Sequence, residues 1–101
     1  MTQAYRLTER AEADVDAITD FIAADNIDAA VKVVLALEDA FVLLASRPGI
    51  GHVRADLTDR PLKFWSVYSY LIVYDPACDP LTIIAVLHSG RDVSQILKES
   101  G

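Results

Sequence analysis

Apolar positions along this chain change their period as it proceeds, and the changes mark its elements. Ala4-Tyr5-Arg6-Leu7 alternates as a short strand does, and Thr8 then stands where a hydroxyl can cap a helix. Glu9, Glu12 and Asp14 lie in the first turns of that helix, at the favourable end of its dipole. The helix is predicted to run to about Ala24, with Ala11, Val15, Ile18 and Ile22 forming a stripe for burial and Glu12, Asp16, Thr19 and Asp20 facing outward. Asp25-Asn26-Ile27-Asp28 supplies turn formers and a second N-cap, after which Ala30, Val33, Val34, Leu37, Phe41 and Leu44 make another stripe. A helical hairpin follows. Val31, Leu35 and Val42 widen the apolar surface of the second helix beyond a narrow seam, enough to pack against more than one layer or to receive a partner.

Arg47-Pro48-Gly49-Ile50-Gly51 ends the second helix, because proline blocks the helical backbone behind it and the glycines permit unusual turns. From there the period falls to two. Leu62 to Val67, Tyr70 to Tyr74 and Leu81 to His88 are rich in β-branched and aromatic residues, with Tyr68-Ser69 and Asp75 to Pro80 as turns. These predict an antiparallel meander. Ser89-Gly90 breaks the last strand, and Asp92 caps a short closing helix through Leu97. The order strand, two helices, three strands, helix predicts an α+β domain in which a helical hairpin packs on one face of an antiparallel sheet. The other face must be covered or polar.

A length of 101 residues suits one domain over the whole chain, 1–101. With 52% apolar and 24% charged residues the chain has the balance of a packed core rather than of disorder. No apolar run approaches the roughly 20 residues of a membrane helix, and Met1 to Thr8 lacks a signal-peptide layout, so a cytoplasmic protein without membrane contact is expected. Cys78 stands alone and is given no role. The net charge is −6, and residues 1–46 hold nine acids against three bases whereas residues 47–101 hold six of each. Phosphate binding rewards clustered Lys and Arg, so such a chain is a poor candidate for binding nucleic acid unaided; a protein partner is expected instead.

His52 and His88 are the only histidines, and neither has a histidine or cysteine at metal-ligand spacing. Ser66, Ser69 and Ser89 lack a nucleophile elbow, and Gly49 and Gly51 do not form a phosphate loop. No metal or cofactor is therefore expected. The remaining candidates are bases around the sheet: Arg54, Arg60, Lys63 and Arg91, with His88 three residues before Arg91. They suit phosphate contact or acid–base work. Equally, Arg60 and Lys63 can line a solvent-facing edge while Arg91 pairs with Asp92 or a carbonyl. Five of the eight aromatics, Phe64, Trp65, Tyr68, Tyr70 and Tyr74, fall in one hairpin, where alternation puts some on each face. Phe64 and Tyr70 are candidates for the core, and Trp65 or Tyr68 for a recognition surface.

Over nearly its whole length the chain resembles the ParE-like toxins of the RelE/ParE superfamily. The resemblance lies in Tyr5-Arg6-Leu7-Thr8, Ala11-Glu12-Ala13-Asp14 and Ile18-Thr19-Asp20-Phe21-Ile22, then in the break from Leu44 to Gly51. Its most specific parts are the run from Trp65 to Tyr74, Pro80-Leu81-Thr82-Ile83, and Val86-Leu87-His88-Ser89-Gly90-Arg91-Asp92. It implies a toxin neutralised by a ParD-like antitoxin in a hetero-oligomer, acting on DNA gyrase by binding, with no catalytic site of its own. On that reading Arg54, Arg60, Trp65, His88 and Arg91 are candidates for contact with target or antitoxin, and Val31, Leu35 and Val42 for an antitoxin groove. The RelE-like ribosome-dependent ribonucleases share the fold but commonly carry a tyrosine or histidine near the C-terminus, where this chain has Val93-Ser94-Gln95-Ile96-Leu97, and a sheet arginine where it has Leu71. Asp75 stands where ParE-like chains often carry arginine. That departure keeps a third reading open, an inactive homologue that only binds its antitoxin.

Overall fold

The computed structural model describes residues 4–99, Glu99 by its backbone only. Strand β1 (Tyr5–Leu7) leads into helix α1 (Glu9–Ala23) and helix α2 (Ile27–Ser46); strands β2 (Lys63–Val67), β3 (Tyr70–Asp75) and β4 (Leu81–His88) follow, and helix α3 (Val93–Glu99) closes the chain. Both long helices start where the capping residues predict. The Thr8 hydroxyl accepts from Ala11 N at 3.1 Å, and Asn26 Oδ1 accepts from Ala29 N at 3.0 Å, each satisfying a donor that the first helical turn leaves free. Thr8 also donates its hydroxyl to Ile84 O at 2.9 Å, so one side chain caps α1 and ties it to β4. No helix among the described residues is long and apolar enough to cross a membrane.

The sheet order is β1-β4-β3-β2. Strands β2, β3 and β4 form the antiparallel meander that the alternation predicts, and β1 adds to β4 in parallel, with Tyr5 opposite Leu81 and Leu7 opposite Ile83. Periodicity within β1 cannot specify that pairing, because it is made with residues some 76 positions away in sequence. On β4, Tyr74 faces Ile83 while Val73 faces Ala85, which leaves Ile84 as an extra residue, a bulge. The bulge changes which residues share a face. Leu81, Ile83 and Val86 pack under the helical hairpin with Ile72 and Tyr74, against Ala11, Leu37, Phe41 and Leu44. Ala85 and Leu87 join Leu62, Phe64, Leu71 and Val73 on the opposite face, which Val93 and Leu97 of α3 cover. Phe64 is thus core, as expected, but of the second layer.

Two further contacts join distant segments. The buried Tyr74 ring sends its hydroxyl to Pro48 O at 2.7 Å and accepts from Gly51 N at 2.9 Å, pinning the single 3-10 turn Pro48–Ile50 to the sheet. A Cβ on Gly51 would collide with that hydroxyl and ring, so the position needs glycine for space rather than for backbone freedom. Asp14 departs from its expected dipole role. Its Oδ2 accepts from Val86 N at 3.0 Å, a donor on β4 beyond the end of β1, while Arg10 Nε donates to both carboxylate oxygens at 2.9 and 3.1 Å. Thr19 is half-buried rather than outward, its hydroxyl donating to Val15 O at 2.7 Å within the same helix.

Candidate functional site

Four surface regions carry the candidate residues. The first is the outer side of the helical hairpin. Val31, Leu35 and Val42 are 51%, 55% and 56% exposed, at spacings of four and seven that hold them on one side of α2. Ile27, Val31 and Leu35, with Ala30 and Val34 beside them and Thr19 and Ala23 of α1 opposite, line an apolar depression of about 310 Å³. Val42 lies farther along the helix, outside that depression.

The second region lies between α1 and the ends of β3 and β4. Ala17, Ile18 and Phe21 form an apolar wall, and Tyr70, His88 and Arg91 a polar one, around a cavity of about 380 Å³. The register brings Tyr70 opposite His88, and their rings meet edge to face with centroids 5.6 Å apart. Arg91 N donates to His88 O at 3.0 Å, closing the turn that carries both side chains. Asp92 does not pair with Arg91. Its Oδ1 accepts from Gln95 N at 3.1 Å and so caps α3, as the sequence predicts.

Trp65 occupies a third place, half-buried against the helix-side core and stacked on His52, with centroids 6.2 Å apart and planes 9° from parallel. His52 is held there by a two-bond bridge to Phe64, with N···O distances of 2.8 Å in both directions. Tyr68 is 70% exposed at the β2–β3 turn, where its φ of 52° is left-handed. The fourth region is the loop before β2. Arg54 grips Asp56 through Nε and Nη2 at 2.9 and 2.8 Å, and that hydrogen bond raises the basicity of Arg54 and holds the Asp56 carboxyl below the usual carboxylate range. Arg60 lines a separate cavity of about 390 Å³ with Asp56, Asp59, Ser94 and Lys98, on the α3 side of the sheet. The five contact candidates therefore do not share one surface: His88 and Arg91 come together, Trp65 is on the helix side, and Arg54 and Arg60 belong to the loop and the α3 side.

The chemistry of the second region is set by a backbone bond. Gly90 N donates to His88 Nδ1 at 3.0 Å, so Nδ1 is an acceptor and the neutral imidazole carries its proton on Nε2. Such a ring donates through Nε2; to act there as a base it would have to exchange tautomers and give up the Gly90 bond. Leu71 is only 7% exposed and packs into the second core, so an arginine there would be buried without a partner. Asp75 accepts from Ala77 N at 2.9 Å and shapes the β3–β4 turn, a structural use for the acid at that strand end. Among the described residues no group of three or more His, Cys, Asp or Glu side chains is placed to hold a metal ion.

Strand, helical hairpin, three-stranded meander and closing helix together make a small α+β domain. The chain superposes on a solved chain described as the chromosomal ParDE TA system from P. aeruginosa with a TM-score of 0.67, at 18% identity, covering 83% of this chain and 92% of that one. At that identity the likeness is one of fold. The sequence family described as the ParE toxin of the type II toxin-antitoxin system, parDE, matches residues 5–93, and this chain belongs to it. No curated protein matches the sequence.

Proposed function

We propose that the chain is the toxin of a two-protein cytoplasmic system, kept silent by a ParD-like antitoxin on the outer side of its helical hairpin. Its target is DNA gyrase, engaged by binding and not by catalysis through a side chain of its own. The observation that carries the antitoxin half is the apolar strip of α2, where Ile27, Val31, Leu35 and Val42 stand more than half exposed beside an apolar depression. Completing the burial of each such side chain contributes on the order of 1 kcal/mol, and the strip has the length of an amphipathic segment laid along a helix. The gyrase half rests on family membership, and Leu71, buried in the second core, fills a sheet position that a ribonuclease arginine would need.

The experiment pairs the chain with the antitoxin encoded beside it. Expression alone is expected to arrest growth, co-expression to restore it, and size-exclusion chromatography with light scattering to give one hetero-oligomer. Growth unaffected by the chain, together with a stable complex, would instead identify an inactive antitoxin binder. No complex at all would remove the antitoxin reading.

A further inference from the structure

The cavity between α1 and the sheet combines two features that the α2 depression does not. Its apolar wall includes Phe21, which is 80% exposed, so a large ring faces solvent where an apolar group can cover it. Its other wall presents donors. Arg91 is exposed, and its guanidinium makes no hydrogen bond or ion pair among the described residues. With Nδ1 accepting from Gly90, His88 offers Nε2–H, and Tyr70, which also lines the cavity, carries a hydroxyl that can donate. Gly90 leaves the ring room, because a Cβ there would stand 3.2 Å from His88 Nδ1 and the imidazole would have to give by a few tenths of an ångström. The Arg91–His88 backbone bond holds both donors on the same turn.

We infer that this cavity recognises a carboxylate of a protein partner, carried by an acidic residue with an apolar neighbour that packs on Phe21. A guanidinium beside an imidazole N–H and a phenol hydroxyl matches an oxyanion, which only accepts hydrogen bonds, and a bond from the guanidinium to a carboxylate is charge-assisted. A polyanion fits less well. The chain carries −6, and Asp16 and Asp20 lie on the exposed side of the adjacent helix, where successive phosphates of a nucleic acid would meet like charge. A single carboxylate inside the cavity meets Arg91. The inference uses the toxin reading only to assign the carboxylate to a protein, and it concerns a surface on the opposite flank of α1 from the antitoxin depression.

Nuclear magnetic resonance on the isotopically labelled full chain tests it, with acetyl-Leu-Glu-Leu-amide as the probe. Acetyl-Leu-Gln-Leu-amide, inorganic phosphate and a short oligoribonucleotide serve as comparators. The glutamate peptide is expected to bind saturably in the millimolar range and to shift the Arg91 side-chain and His88 ring signals. Replacing Glu by Gln in the peptide, or Arg91→Gln in the protein, should weaken binding about tenfold. Because Arg91 is exposed, its variant should keep the thermal midpoint of the parent, and Tyr70→Phe, which retains the ring contact with His88, should give a smaller loss. Equal binding of the glutamine peptide, tighter binding of phosphate or the oligoribonucleotide, or no shift at Arg91 and His88 would overturn the inference. A chain that still forms the antitoxin complex in that event leaves the proposed function intact.

Discussion

Tyr74 shows how one hydroxyl fixes a loop. It is fully buried and supplies both a donor to Pro48 O and an acceptor to Gly51 N, so Tyr74→Phe leaves two backbone groups to find other partners. We expect a loss of about 1–3 kcal/mol in urea unfolding. Gly51→Ala should cost at least as much, since its Cβ would displace the same ring. Burial raises the proton affinity of Tyr74 above the ordinary phenol, partly offset by the Gly51 bond. The folded state therefore holds this proton more tightly than the unfolded chain. Its contribution is complete below about pH 10 and is lost as pH rises from there through the folded value. Urea titrations of the parent between pH 9 and 11 should show that decline, and Tyr74→Phe should flatten it. None of this is legible in the sequence, where Tyr74 is a strand residue and Pro48 to Gly51 a helix break 23 or more positions away. The pairing of His88 with Arg91 is legible, being a spacing of three; the arrival of Tyr70 depends on register, and that of Phe21 on helix packing.

At the level of elements, α1 is fastened to β4 by polar contacts as well as by its apolar stripe. Asp14 accepts from Val86 N, and removing the carboxylate with Asp14→Ala strands a donor on β4. We expect about 1–3 kcal/mol of destabilisation, and faster hydrogen exchange at the Val86 amide than in the parent. Helix α3 is short, yet Val93 and Leu97 are 4% and 2% exposed and close the second core. Leu97→Ala should cost about 2–4 kcal/mol by thermal or urea unfolding. Element order, both helix caps and the meander follow from period and capping residues, because those signals are local. The bulge at Ile84 does not, since a continuous apolar run hides a change of phase. Strict alternation would have put residues 83, 85 and 87 on one face; the structure divides them between two cores.

Across the whole molecule, acidic charge and exposed apolar surface coincide on the helical hairpin, while the donor-rich cavity lies on the other flank of α1. Composition made the acidic half legible, and α2 periodicity made Val31, Leu35 and Val42 legible as a strip. The separation of the five contact candidates into different regions required the fold. Leu35→Asp, at an exposed position, should leave the thermal midpoint of the free toxin nearly unchanged and weaken the antitoxin by about 30-fold or more, measured by calorimetric titration. The most direct test of the central claim mixes purified chain with DNA gyrase, ATP and supercoiled plasmid, with antitoxin added to a parallel tube. We expect cleaved linear plasmid to accumulate and to be absent where antitoxin is present. Plasmid processed as in the toxin-free control, with messenger RNA cut on ribosomes by the same preparation, would contradict the proposal and make the chain a ribonuclease.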